Sequence, residues 1–379
     1  MVKVILFDVD GVLLSEEHYF DASALTVWEL FISKNYLSLA PERFTTNYNS
    51  KEIADIRSRV FQDDQVLEFL KSKGLNANWD MIYLTVSYQL IHLLEQVKDQ
   101  ESEKIKAWLQ KGIDRQTLLD IGDVLNQYEV NLNFESFVEG FEAAGESKQG
   151  LFKHLDTIAF EKLSIETKIF SEDRTLWSVG EHISQEWYVG DEHVLASTGR
   201  SSVQTGKKGF LTDEMTLCPR EEIDELFSKL LTKGLKIGIG TGRPELETIQ
   251  PFTHLDWLKH FDANHIVTAD DVLKAEMEFP DFRPLSKPNP FTYVLGLNGR
   301  HSGAQKSLES NLPLENRDEI LIVGDSLADL LAARKIGCKF AAVLTGLSGQ
   351  NARSEFEKNG ADYILNNVLE LADLLLKEN

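Results

Sequence analysis

The chain has 379 residues, 42% of them hydrophobic, and 39 Lys+Arg stand against 61 Asp+Glu for a net charge of −22. That hydrophobic content belongs to a globular protein rather than a disordered one, and at about 150 residues per domain the length suggests two domains. The charge argues against nucleic acid and against an anionic membrane surface, because both demand a basic footprint, but it admits a small anionic substrate met locally by a divalent cation and one or two lysines.

Taken in chain order, Val2–Phe7 is a short apolar run that ends at acidic residues and Gly11, and it reads as a strand. The stretch MVKVILFDVDG is not a signal peptide, because Asp8 and Asp10 interrupt it early. From about 16 to 215 the pattern turns helical. In Tyr83–Val97 the residues Leu84, Leu90, Ile91, Leu94 and Val97 share one face, and Gln116–Gln127 is a second helical candidate. Glu172–Gly209 holds Gly180, Gly190, Gly199, Gly206 and Gly209 among Trp177, Trp187 and Tyr188, a density that reads as loop or short strand. Glu221–Thr232 is an amphipathic helix with Gly234 just beyond, and Ala328–Lys335 is stopped by Gly337 in the same way. Apolar runs at Leu235–Gly240, His265–Thr268, Glu319–Val323, Phe340–Leu344 and Tyr363–Leu365 alternate with these helices. The expectation is an α/β fold, a doubly wound parallel sheet covered on both faces. One strand stands alone at the N-terminus and its sisters resume after 216. That arrangement implies a core of residues 1–15 and 216–379 interrupted by a mainly helical insertion at 16–215. Two cysteines, Cys218 and Cys338, are too few for a disulfide framework or a zinc site. No run of about 18 apolar residues is long enough to span a membrane, and a cytoplasmic protein is expected.

Four segments place chemically capable residues at or beside strand ends, where open α/β sheets bind ligands. In Asp8-Val9-Asp10-Gly11, two carboxylates at i and i+2 point to one side and can divide labour as nucleophile or metal ligand and as proton donor. An acidic turn is the plainer reading of such a pair. In Thr241-Gly242-Arg243-Pro244, a hydroxyl and free N–H groups at a helix start face an anion, or the threonine simply caps the helix. In Ser286-Lys287-Pro288-Asn289-Pro290, two prolines hold an extended loop around one lysine. In Gly324-Asp325-Ser326-Leu327-Ala328-Asp329, two carboxylates share a helix N-terminus. Three such carboxylates without a thiol suit a hard cation such as Mg²⁺.

Each segment alone is weak; together, in this order, they resemble the haloacid dehalogenase (HAD) superfamily, with Asp8-Val9-Asp10-Gly11-Val12 as its first motif, Thr241 its second, Lys287 its third, and Gly324-Asp325 with Asp329 its fourth. The resemblance covers the core. It implies a Rossmann-like sheet in the order 3-2-1-4-5 with the motifs converging on central strand one. It further implies that Asp8 is the nucleophile, forming an aspartyl-phosphate, and that Asp10 protonates the leaving oxygen and then deprotonates water. Thr241, Gly242 and Lys287 would bind the phosphoryl group. Mg²⁺ would be held by the carboxylates of Asp8 and Asp325 and the backbone carbonyl of Asp10, with Asp329 orienting a bound water or Lys287. Asp10 favours phosphate esters over haloacids, whose departing halide needs no proton. A phosphatase acting on a small phosphorylated metabolite is therefore expected, and a phosphotransferase or phosphosugar mutase is the alternative. A non-enzymatic binding module is disfavoured because none of the catalytic residue types is missing. The insertion resembles a C1-type cap of unusual size. Within it Asn78, Trp79 and Asp80, in the stretch 76–80, are candidate substrate contacts, as is Gln185–Asp191; packing is the plainer role for both. Lys207 and Lys208 read as an anion contact or as solvated surface, Asp270-Asp271 as a helix cap, and Arg243 as either a phosphate contact or a loop closure. No role is assigned to the histidines.

Overall fold

In β1 (Val4–Phe7) successive side chains serve two different cores, as a strand buried on both faces requires. Ile5 and Phe7 join one apolar cluster, and Leu6 joins the other. The computed structural model describes residues 2–39, 41–73, 75, 77–145 and 147–376. They form two compact units, Met1–Glu16 with Leu211–Asn379, and Glu17–Phe210.

The first unit is built on a six-stranded parallel sheet. Its other strands are β2 (Lys236–Gly240), β3 (Ile266–Val267), β4 (Ile320–Gly324), β5 (Lys339–Val343) and β6 (Tyr363–Leu365), in the order β3-β2-β1-β4-β5-β6. This is the order the resemblance implies, with one strand added beyond β5. β1 lies between β2 and β4, with Phe7 opposite Ile239 on one side and Val323 on the other. One face carries Ile239, Leu321 and Val323 and is covered by Ile223, Leu226, Phe227 and Leu230 of the helix Arg220–Thr232. The opposite face carries Ile320, Ile322 and Phe340 and is covered by Leu330, Ala333 and Ile336 of the helix Leu327–Ile336. The strand ends of β1, β2 and β4 thus lie side by side in a rigid frame. Asp271 caps the helix Ala269–Glu278 reciprocally with Thr268, as expected for that acidic pair.

Among the described residues of the second unit all regular elements are helices. The helix Glu17–Ile32 packs against Ser50–Phe61, Asn78–Gln96 and Thr175–Thr198. It is buried on every side from Ala22 to Ile32, as a central helix must be. Thr175–Thr198 corrects the expectation of loop or short strand. Its glycines are placed by packing: Gly180 faces Ile82, where a Cβ would lie 3.2 Å from Cγ2. At Gly190 the helix breaks, with φ +76°, and a Cβ there would meet the Lys208 carbonyl at 2.5 Å. Gly199 then closes the helix in the left-handed conformation. Lys207 is neither solvated nor open to an anion. Its ammonium is wholly buried, 2.8 Å from Glu29 Oε2 and paired also with Glu186, while Trp187 Nε1 donates to Glu29 at 2.8 Å. Burial pushes the Glu29 carboxyl up to about 7 against the pull of Lys207. No described helix is long and apolar enough to cross a membrane.

Candidate active site

Asp8 follows β1 directly, and its N–H donates to the Val323 carbonyl at 2.9 Å, extending the ladder one residue past the strand. The residue is 8% exposed, and its Oδ1 accepts the Val9 N–H at 2.8 Å. The chain then turns back on itself. Leu13 and Leu14 both donate to the Val9 carbonyl, at 2.9 and 3.0 Å, and Gly11 supplies the left-handed residue with φ +69°.

Lys287 reaches this point from the loop before the helix Phe291–Asn298. Its Nζ lies 2.9 Å from Asp8 Oδ2 and 2.8 Å from Asp329 Oδ1, over the ring of Tyr293. The loop is a turn rather than an extended segment, since the Asn289 N–H donates to the Ser286 carbonyl at 3.0 Å. Asp329 is fully buried in the first turn of Leu327–Ile336. Tyr293 Oη donates to its Oδ1 and Ser326 Oγ to its Oδ2, both at 2.7 Å. Burial opposes ionisation of Asp329, yet Lys287, Ser326 and Tyr293 together hold its carboxyl below the usual range. Burial likewise opposes the charge on Lys287, but Asp329 and Asp8 outweigh it and keep the ammonium protonated.

Asp325 follows β4 and is the least compensated of the group. Burial pushes its carboxyl well up, and the charges of Asp329 and Asp8 push the same way. Its carboxylate accepts no hydrogen bond among the described residues. It sits between two glycines, where a Cβ on Gly11 would lie 2.1 Å, and one on Gly346 2.0 Å, from its Oδ2. Carboxylate oxygens of Asp8, Asp325 and Asp329 lie within 4.8 Å of one another. Asp8 is pushed up to about 7, chiefly by burial, with Lys287 opposing. Clustered, desolvated carboxylates with an undonated member fit a hard divalent cation.

Thr241 follows β2, with its N–H bonded to the Val267 carbonyl at 3.0 Å and its Oγ1 accepting the Arg243 N–H at 3.1 Å. It does not cap the next helix, Glu245–His254, whose N-cap is Pro244. Beside Gly242 a Cβ would meet nothing within 4 Å. Arg243, left open by the sequence, turns inward to Asp10, with its Nε 2.7 Å and Nη2 2.6 Å from Oδ1. Burial raises the Asp10 carboxyl while Arg243 opposes.

Asn78, Trp79 and Asp80 belong to the second unit, in the first turn of Asn78–Gln96. Asp80 Oδ1 accepts from Trp177 Nε1 at 2.8 Å, and its Oδ2 pairs with Lys148 at 2.6 Å. Trp79 meets Trp177 edge to face at 5.9 Å, and Asn78 Oδ1 is buried without a hydrogen-bond partner among the described residues. Asn76, in the same stretch, lies outside the described residues. Gln185–Gly190 is buried within Thr175–Thr198. The sequence passed over two participants. One is Tyr293, in an otherwise ordinary apolar helix. The other is Gly346, whose only signal is its place just after an apolar strand.

The family model described as HAD-hydrolase-like matches residues 284–371, from the Lys287 loop through β6. An X-ray structure determined as a structural-genomics target is 39% identical to the chain, with a TM-score of 0.90 over 99% of this chain and 98% of that one. A dehalogenase structure is 13% identical with a TM-score of 0.39, covering 100% and 98%. A hydrolase from Pseudomonas syringae is 15% identical with a TM-score of 0.34, covering 98% and 97%. At that distance neither name bears on the activity of this chain. No curated protein matches it. The family match over the third and fourth motifs agrees with a parallel sheet that carries the first, second and fourth motifs at the adjoining ends of β1, β2 and β4, with Lys287 reaching Asp8 and Asp329 from a turn, and the chain belongs to the haloacid dehalogenase superfamily of hydrolases.

Proposed function

We propose that the protein is a Mg²⁺-dependent phosphatase that hydrolyses a small phosphorylated metabolite through an aspartyl-phosphate on Asp8. The observation that carries this reading is the Lys287 ammonium held between Asp8 and Asp329, 2.9 and 2.8 Å away, beside a second aspartate two residues after Asp8. Asp8 attacks phosphorus as the ester P–O bond breaks, and Asp10 gives its proton to the departing alkoxide. Asp10 then takes a proton from the water that attacks phosphorus and frees Asp8. Lys287 and Thr241 neutralise and hold the phosphoryl oxygens. Asp8 and Asp325, with the Asp10 backbone carbonyl, would hold Mg²⁺, which supplies charge neutralisation between the carboxylates and the phosphate dianion. The insertion serves as the substrate-selecting cap, with Asn78, Trp79 and Asp80 as its proposed contacts. The net charge of −22 favours a small substrate over polyanionic partners.

Release of inorganic phosphate from a panel of phosphorylated metabolites tests this. Turnover should require Mg²⁺ and stop with chelator. Full turnover without metal rejects the mechanism, and isomerised product without phosphate release replaces phosphatase by mutase.

Gly346 provides a sharper check on the metal. Gly346→Ala would place a Cβ 2.0 Å from Asp325 Oδ2, so the carboxylate must leave its position. Calorimetry should show Mg²⁺ bound at least about tenfold more weakly, a loss of ~1.4 kcal/mol, while the unfolding temperature in chelator stays unchanged. Equal affinity in the two proteins would remove Asp325 from the ligand set.

A further inference from the structure

Arg243 carries a guanidinium that is almost wholly buried, with its side chain 1% exposed, and it meets two carboxylates, those of Asp10 and Glu214. Nε and Nη2 both meet Asp10 Oδ1, at 2.7 and 2.6 Å. Nη1 donates to Glu214 Oε1 at 2.6 Å and to the Glu247 carbonyl at 3.2 Å. Glu214 is as deeply buried as the arginine, whereas the Asp10 side chain keeps 29% of its surface exposed. The fork therefore joins one carboxylate that faces open space to one that does not. A planar guanidinium hydrogen-bonded through Nε and Nη1, with Nη2 in ionic contact with the same Asp10 oxygen, is held in one orientation and so restricts the Asp10 carboxylate it grips. Both contacts use Oδ1 and leave Oδ2 to meet a ligand. Glu214 balances the buried cation, so that Asp10 need not supply its whole countercharge.

We propose that Arg243 is a positioning residue for proton transfer, gripping Asp10 by Oδ1 so that Oδ2 faces the leaving oxygen. This rests on the phosphate-ester reading above. In the first half-reaction the proton on Oδ2 passes to the departing alkoxide as the Asp8–phosphorus bond forms and the ester P–O bond breaks. In the second, Oδ2 takes a proton from water as oxygen bonds to phosphorus and the bond to Asp8 breaks. An orientation effect of this kind acts only where the leaving group needs a proton.

The experiment measures hydrolysis of a series of substituted phenyl phosphates, from dinitrophenyl to unsubstituted phenyl, by the full-length protein in saturating Mg²⁺. Arg243→Ala should lose roughly 10²-fold or more on phenyl phosphate and less than about tenfold on the dinitrophenyl ester, steepening the dependence on leaving-group basicity. Arg243→Lys keeps the buried charge without the fork; it should recover part of the loss and show the same steepening in milder form, and it carries the test alone if Arg243→Ala does not fold. In an Asp10→Asn background, Arg243→Lys should change the slope no further, because the two residues act as one unit. Equal losses across the series, or an undiminished Arg243→Lys effect without Asp10, would overturn the proposal and leave Arg243 a packing residue. A wild-type protein that releases no phosphate from any ester overturns the phosphatase reading itself, and the positioning role with it.

Discussion

Asp8→Asn is expected to abolish turnover, by roughly 10⁴–10⁶-fold, the range seen when a covalent nucleophile is removed, while the protein stays folded. The amide fills the volume of the carboxylate and keeps an oxygen for the Val9 N–H, now 2.8 Å from Oδ1. What it lacks is the negative oxygen that attacks phosphorus. The fold should tolerate the change because Lys287 retains Asp329, 2.8 Å away, as its partner. The charge removed is also one that burial already disfavours, since the Asp8 carboxyl is pushed up to about 7. Steady-state phosphate release and a thermal melt on the same sample decide the matter. Turnover within tenfold of wild type would mean that Asp8 does not attack phosphorus, and a collapsed melt with lost turnover would assign it a structural role.

The sheet was legible in the sequence because parallel strands buried on both faces are continuous apolar runs, such as Ile320–Gly324, closed by glycine and aspartate. The motifs were legible for a related reason: each sits where such a run stops. What escaped depended on partners distant in the chain. Five glycines between 172 and 209 are a strong local signal for a break, and Gly190 does break the helix where the Lys208 backbone approaches, yet Thr175–Thr198 is otherwise helical, with Gly180 packed against Ile82. Lys207 next to Lys208 has the look of a solvated pair; its true environment is set by Glu29 and Glu186, which no local pattern connects to it. Arg243 was ambiguous for the same reason, since its meaning lies in Asp10 and Glu214. Gly346 has no positive φ to explain it, and only the Asp325 carboxylate does.

Lys287→Met should cost about 3–5 kcal/mol of stability near pH 8, the range for breaking a buried ion pair from one side, and the deficit should shrink as the pH falls. In wild type Lys287 opposes the upward push on Asp8 and is a principal reason Asp329 lies below the usual carboxylate range. Asp329 thus contributes stability above the unfolded carboxyl value, lost only as pH falls through its depressed folded value. Without the ammonium both carboxyls move up in the folded state. A group whose folded pKa exceeds its unfolded value makes the native state bind more protons, so stability falls as pH rises from about 4 through the raised folded value. Near pH 4 the carboxyls accept protons and the missing cation matters least; as the pH rises each must either hold a proton that the unfolded chain releases or become a buried charge, with Tyr293 and Ser326 as remaining donors to Asp329. Methionine spans nearly the volume of lysine, which limits any cavity contribution. Denaturant melts of both proteins in chelator from pH 5 to 8 give the test. A deficit that is flat across that range would mean that the lysine stabilises the fold through packing against Tyr293 rather than by balancing the aspartates.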